Sequence, residues 1–89
     1  MDKPKVGQIV LATVEPSMNN GNDVAPAIIT RVGWGEYDGY WVVNLRVFAD
    51  ASTIPLSVTS AAFHPDEAGA RTHSLAPGAC WPIPGADEY

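Results

Sequence analysis

The sequence predicts an all-β fold, a small SH3-like barrel of four to five short antiparallel strands with a short helical turn before the last strand. Eight glycines and eight prolines cut the 89 residues into short pieces. Several pieces alternate apolar and polar residues with the two-residue period of a strand, and none carries the pattern of a long helix. Closing such a sheet removes its edges, and an OB-like arrangement is the alternative at this size.

The strands can be placed in order from turn residues. Asn20-Gly21 marks the loop after the first strand, and Pro26 is tolerated at the start of the second. Asp38-Gly39 is a strong hairpin signal, so the second and third strands should be antiparallel neighbours. Pro55 argues for an edge or a delayed start of the fourth strand. One domain is expected over 1–89, with frayed termini at 1–5 and 85–89, strands at 7–14, 26–32, 41–50, 54–63 and 80–83, and one helical turn within 65–70.

Charge and cysteine usage narrow the function classes. Ten acidic residues face five basic ones, a formal net charge of −5, which opposes binding to duplex nucleic acid or to an anionic membrane. Cys80 is the single cysteine, so no internal disulfide can form, and we expect it to be a small buried residue. No apolar run reaches the length of a secretory or membrane-spanning segment. A cytoplasmic protein is the expectation.

Motifs for catalysis or for metal binding are weak. His64, His73 and Cys80 lack the spacing of zinc ligands, and no glycine-rich phosphate loop is present. Serines and histidines occur without a nucleophile elbow or a related local signature. We therefore expect no metal, no cofactor and no enzymatic activity.

A binding function is better supported, because aromatic residues cluster near two arginines. Alternation divides the stretch WVVNLRVFAD into a core face with Trp41 and Val43 and a second face with Asn44 and Arg46. The second face is apolar apart from those two side chains, so something is expected to cover it: the C-terminal segment, a second subunit or a ligand. A chain this small, with 46% hydrophobic residues, also favours a homo-oligomer.

The order of the strands resembles that of a family of small phage-encoded accessory proteins. The resemblance covers VGQIV at 6–10, PAIITRV at 26–32, VNLRVFAD at 43–50, VTSAAF at 58–63 and CWPIP at 80–84. It implies a phage accessory protein acting in the host cytoplasm. Such proteins include inhibitors of host anti-phage defence that sequester nucleotide signals without cleaving them.

The leading hypothesis is thus a non-enzymatic protein that binds and sequesters a small anionic, nucleotide-like ligand. Aromatic rings would stack on the base, while arginine and hydroxyl donors would hold the phosphate. The alternatives are a virion accessory protein, either capsid-decorating or head–tail, and an adaptor that inhibits a host protein. The predicted ligand-binding residues are Arg31, Trp34, Tyr37, Asn44, Arg46, Thr59, Ser60, His64 and Trp81.

Overall fold

A computed structural model describes residues 3–37, 40–72 and 78–84, with residues 34–37 described by their backbone alone. Of the termini predicted to fray, 1–5 and 85–89, residues 1–2 and 85–89 lie outside these ranges, as does the Asp38-Gly39 turn. The elements are β1 (Ile9–Thr13), a 3₁₀ turn (Pro16–Met18), β2 (Val24–Tyr37), β3 (Tyr40–Val47), β4 (Leu56–Phe63), α1 (Glu67–Thr72) and β5 (Ala79–Pro82).

The five strands form a closed barrel in the order β1-β2-β3-β4-β5, which confirms the predicted small SH3-like barrel. β1 pairs with β2, β2 with β3 and β3 with β4, each antiparallel, and β5 returns to pair antiparallel with β1. The structure differs from the prediction in one pair, because β4 and β5 run parallel. A parallel pair needs a crossover connection rather than a tight turn, and α1 lies in that connection.

Strand alternation builds the main core as predicted. Val43, Leu45 and Val47 of β3 point inward and are buried, and Trp41 packs against the same cluster. Cys80 lies in this core too, fully buried as expected. The remaining buried members are Val10, Ala12, Ala25, Ala27, Ile29, Ala61 and Phe63.

A second, smaller cluster lies where α1 covers the outer side of the sheet. Ala70 of α1 is buried against Ala79 and Trp81 of β5, with Leu11 and Val24 packed beside them. The Asp66 carboxylate accepts a 2.8 Å hydrogen bond from the Gly69 N–H and so caps the start of α1. The helix continues through Gly69, the residue expected to limit it to about one turn, and ends at Thr72.

β2 begins before Pro26 and continues past Val32 into the segment assigned to a turn. Two irregularities in its pairing with β3, between Ile29 and Arg31 and between Val32 and Glu36, absorb the additional residues. At the second irregularity the backbones of Gly33 and Val42 approach closely. A Cβ at Gly33 would lie 3.0 Å from the carbonyl oxygen of Val42, so a larger residue would require this backbone to shift by a few tenths of an ångström.

The β1–β2 loop is fixed by the buried side chain of Asn19. Its Nδ2 donates to the carbonyl oxygen of Val24 at 2.8 Å, and its Oδ1 accepts from the Asp50 N–H at 2.7 Å. These bonds tie the loop to the turn that follows β3. The chain start is also held, because Pro4 is buried and the Lys3 Nζ lies 5.7 Å from the centre of the Trp41 ring. Within the described ranges, no helix is long and apolar enough to cross a membrane.

Candidate functional site

Three of the predicted ligand-binding residues lie together on the outer face of β2 and β3. Arg31 is the cross-strand partner of Asn44, and both side chains point away from the buried Val43 and Leu45. Arg46 follows Asn44 by two residues and so projects from the same face. Arg31 and Arg46 are therefore diagonal neighbours across the β2–β3 pair.

Asn44 lies between two β-bulges, one on each neighbouring strand. On the β2 side the register shifts between Ile29 and Arg31. On the β4 side it shifts between Val58 and Ala61, so that Thr59 and Ser60 together face Asn44. Bulges bend a strand and redirect side chains, and they occur more often than average beside functional sites.

The β4 bulge is closed by Asn44 itself. Ser60 has a φ of 58°, the left-handed conformation that non-glycine residues rarely adopt. Its N–H donates to the Oδ1 of Asn44 at 3.1 Å, which replaces a bond that the bulge removes from the ladder. A backbone N–H can pair only with an acceptor, so this bond fixes the amide orientation and leaves the Asn44 Nδ2 to donate elsewhere.

Arg46 is held in place by its neighbour across the sheet. Its Nη1 donates to the hydroxyl oxygen of Ser57, the cross-strand partner on β4. On its other side the partner is Ile28, which can pack against the aliphatic stem. A single hydroxyl uses one of the guanidinium nitrogens, so the other N–H groups of Arg46 stay available to a ligand.

The electrostatics of this face differ from those of the whole chain. Among the described residues, the only arginine in an ion pair is Arg71, which binds Asp23 at 2.9 Å and Glu67 at 2.7 Å. Neither Arg31 nor Arg46 has a carboxylate partner in the described part of the chain. We call this surface the donor patch; its members are Arg31, Asn44, Arg46, Ser57, Thr59 and Ser60.

Two other predicted site residues are buried away from the donor patch. Trp81 is 1% exposed and lies under α1, with the guanidinium carbon of Arg71 5.9 Å from the centre of its ring. Its indole N–H has no hydrogen-bond partner among the described residues. His64 is 4% exposed, and its ring lies 5.1 Å from that of Tyr40. Both side chains are therefore withdrawn from solvent, unlike the exposed arginines of the donor patch.

Trp34 and Tyr37 remain sequence predictions. Their backbone belongs to β2, and their side chains lie outside the part of the structure that is described. These two residues are therefore not included in the donor patch.

Thiol chemistry and metal binding find little support in the described ranges. Burial raises the pKa of Cys80 to about 12, which keeps it as a neutral thiol, while the thiolate is the reactive form. No group of three or more histidine, cysteine or acidic side chains is arranged to hold a metal ion in residues 3–37, 40–72 and 78–84.

The predicted site did not include Ser57 and Phe48. Ser57 orients Arg46 through a hydrogen bond. The two residues are paired because of the β3–β4 register, which could not be predicted from the sequence. Phe48 follows Arg46 by two residues and is 43% exposed. The alternation of the third strand already placed it on the face of Arg46 and could have identified it.

Comparisons of this chain with family models, with curated proteins and with solved structures found no match.

Proposed function

We propose that this protein is a non-enzymatic binding protein that holds a small anionic ligand on the donor patch. The observation that carries the proposal is the pair Arg31 and Arg46, placed on either side of Asn44 without a carboxylate partner in the described residues. Charge-assisted hydrogen bonds from arginine are the strongest polar contacts available to a phosphate or carboxylate. The acidic remainder of the protein weakens long-range attraction, but exposed charges beyond about 8–10 Å are largely screened at physiological salt.

The arrangement of donors favours a ligand with more than one anionic group. Two guanidinium groups on neighbouring strands can meet two phosphates, or two faces of one. The Asn44 Nδ2 and the Thr59 hydroxyl belong to the same patch and add neutral donors. A nucleotide has this chemistry. The resemblance to phage accessory proteins makes nucleotide signals of host defence, sequestered without cleavage, the first class to test.

Isothermal titration against cyclic dinucleotides, cyclic trinucleotides, ADP-ribose derivatives and inorganic pyrophosphate tests the proposal. We expect at least one nucleotide to bind, and Arg46→Gln to weaken it by about tenfold or more, since a charge-assisted hydrogen bond contributes about 1.5–3 kcal/mol. Lys5→Gln is the matched control, because it removes the same charge from an exposed residue outside the donor patch.

Two results would count against the proposal. If the folded protein binds none of the compounds in the panel, the proposal of a nucleotide-like ligand is contradicted. Equal weakening by Arg46→Gln and Lys5→Gln shows that binding follows net charge and not the donor patch. Chromatography of the ligand after prolonged incubation tests the non-enzymatic part, because a binding protein returns the ligand unchanged.

A further inference from the structure

The β1–β2 loop contains an Asn-Gly pair in a tight turn. Asn20 has a φ of 51° and Gly21 a φ of 92°, so both residues adopt the left-handed conformation that favours these two residue types. Apart from its chain neighbours, no described residue comes within 4 Å of the place where a Cβ of Gly21 would lie. The backbone conformation, and not a lack of space, therefore calls for glycine. As a result, the Gly21 nitrogen has no adjacent side chain that would hinder it as a nucleophile.

Such a pair can deamidate with water as the only co-reactant. The Gly21 backbone nitrogen forms a bond to Cγ of the Asn20 side chain and gives up its proton. The bond from Cγ to Nδ2 breaks, and this nitrogen leaves with the proton as ammonia. Water then opens the cyclic imide at one of its two carbonyl carbons, which yields an aspartyl or an isoaspartyl residue. Either product carries a carboxylate in place of the neutral amide.

The folded loop holds both reacting groups away from this step. The Gly21 N–H donates to the carbonyl oxygen of Pro16 at 2.9 Å, so the proton that must leave is held in a hydrogen bond. The Asn20 Nδ2 donates to a carboxylate oxygen of Asp50, in the turn that follows β3. Ring closure requires the Asn20 side chain to leave Asp50 and turn back on its own backbone. The contact with Asp50 therefore opposes deamidation.

The contact between Asn20 and Asp50 is one of three that dock the loop on this turn. The buried Asn19 side chain accepts the Asp50 N–H at 2.7 Å, and the carbonyl oxygen of Met18 accepts the Ala51 N–H at 3.0 Å. Asn20 and Asp50 are both exposed, so water competes for their hydrogen bond, whereas Asn19 is 5% exposed. The loop is thus released most readily at Asn20.

We propose that Asn20 is a site of spontaneous deamidation, controlled by the docking of the β1–β2 loop on Asp50. The docked loop opposes the reaction, which proceeds from the minor population in which the loop is released. The product carboxylate then faces the carboxylate of Asp50, where like charges repel, so the loop is not docked again in the same way. The modification is irreversible, and it does not depend on the ligand proposed for the donor patch.

Mass spectrometry of the peptide that contains Asn20, after incubation of the full chain in mildly alkaline buffer, is the primary experiment. We expect this amide to be converted to the acid, and Asp50→Ala to accelerate the conversion by about threefold or more, because one hydrogen bond that docks the loop is lost. Glu15→Ala is the matched control. It removes the same charge from an exposed side chain that makes no hydrogen bond among the described residues, and the rate should stay the same.

Two outcomes of this experiment would overturn the proposal. In urea the loop is released with the rest of the chain, so the Asn20 amide should be lost about tenfold faster or more than in the native protein. Equal rates in urea and in native buffer would remove the protection ascribed to the folded loop. An Asn20 amide that persists even in urea would rule out the site itself.

A core variant separates release of the loop from unfolding of the whole barrel. Ile29→Val removes one buried carbon from the main core, so it lowers global stability while the contacts of the loop with Asp50 remain. Deamidation from a locally released loop should keep the wild-type rate in this variant. Acceleration equal to that of Asp50→Ala would show that the reaction follows global unfolding, which would overturn the control by docking.

Asn20→Asp reproduces the aspartyl product and tests its effect on the loop. It removes the Nδ2 donor and places a carboxylate against Asp50, so the Ala51 N–H should exchange with deuterated solvent about threefold faster or more. Asn22→Asp adds the same charge to the same loop at an exposed residue and should leave this exchange unchanged. Equal exchange in the two variants would contradict the release of the loop by the product.

Discussion

At the scale of single residues, Asn44 explains why a strand of the core carries an amide. Its oxygen accepts the Ser60 N–H that the β4 bulge leaves out of the ladder, and the residue neighbours Arg31 across the sheet and Arg46 along β3. The same side chain thus stabilises a strained backbone conformation and supplies a donor to the patch. A substitution that separates these roles tests both of them.

Replacing Asn44 in two ways separates its structural role from its proposed binding role. Asn44→Ala removes the acceptor of the Ser60 N–H and should lower the free energy of unfolding by about 0.5–1.5 kcal/mol. Asn44→Asp keeps an acceptor and places a negative charge beside Arg31 and Arg46, so stability should equal or exceed that of the wild type. Anion binding should nevertheless be lost in Asn44→Asp. Urea denaturation measures the first effect and titration the second; equal destabilisation by both variants would show that the bond to Ser60 is unimportant.

At the scale of elements, the order of strands and helix could be predicted from the sequence, but the bulges could not. Alternation correctly assigned Trp41, Val43, Leu45 and Val47 to the core because it depends only on local backbone geometry. A bulge forms where two paired strands have different numbers of residues between the same two cross-strand pairs. It is therefore a property of the paired strands together, and the sequence of one strand alone does not predict it. The donor patch was predicted in part for this reason: Ser57 was missed, and the members named from the sequence were Arg31, Asn44, Arg46, Thr59 and Ser60.

The position of Trp81 could not be predicted from the sequence either, because it depends on the packing of a helix. The alternation of CWPI indicates that Cys80 and Trp81 point to opposite sides, and Cys80 does enter the barrel core. Whether Trp81 faces solvent or protein depends on where α1 packs. A helix of six residues is too short for its sequence pattern to predict its packing position. α1 covers Trp81, which therefore fills a second core instead of facing a ligand.

The packing of α1 can be tested on opposite faces of one helix. Ala70 is fully buried against Trp81 and Ala79, while Ala68 of the same helix is exposed. Ala70→Asp would bury a carboxylate without a partner and should lower the free energy of unfolding by about 3 kcal/mol or more. Ala68→Asp should change it by less than about 0.5 kcal/mol. Thermal melts of the two variants measure the difference, and similar melting temperatures would contradict the packing of α1 described here.

At the scale of the whole molecule, closure of the barrel depends on the short strand β5. Cys80 is paired with Ala12 of β1 on one side and with Phe63 of β4 on the other. The His64 N–H also donates to the carbonyl oxygen of Cys80 at 2.8 Å. The thiol therefore lies at the point where the first and last strands meet, and it reaches solvent only when the barrel opens. Its ionisation reports on the stability of the closed fold.

The stability of the barrel should decrease in alkaline solution because of Cys80. Burial raises the pKa of this thiol from 9.0 to about 12, so between these values the unfolded chain loses a proton that the folded chain keeps. The contribution of the neutral thiol to the free energy of unfolding is complete below pH 9. It is lost as the pH rises towards 12, by at most about 1.4 kcal/mol per pH unit. Cys80→Ala removes this ionisation and alters no other titratable side chain. Urea denaturation of both proteins should therefore give a constant difference in unfolding free energy up to about pH 8.5, with the wild type declining more steeply above it. Parallel curves up to pH 11 would show that the thiol already meets solvent in the folded barrel.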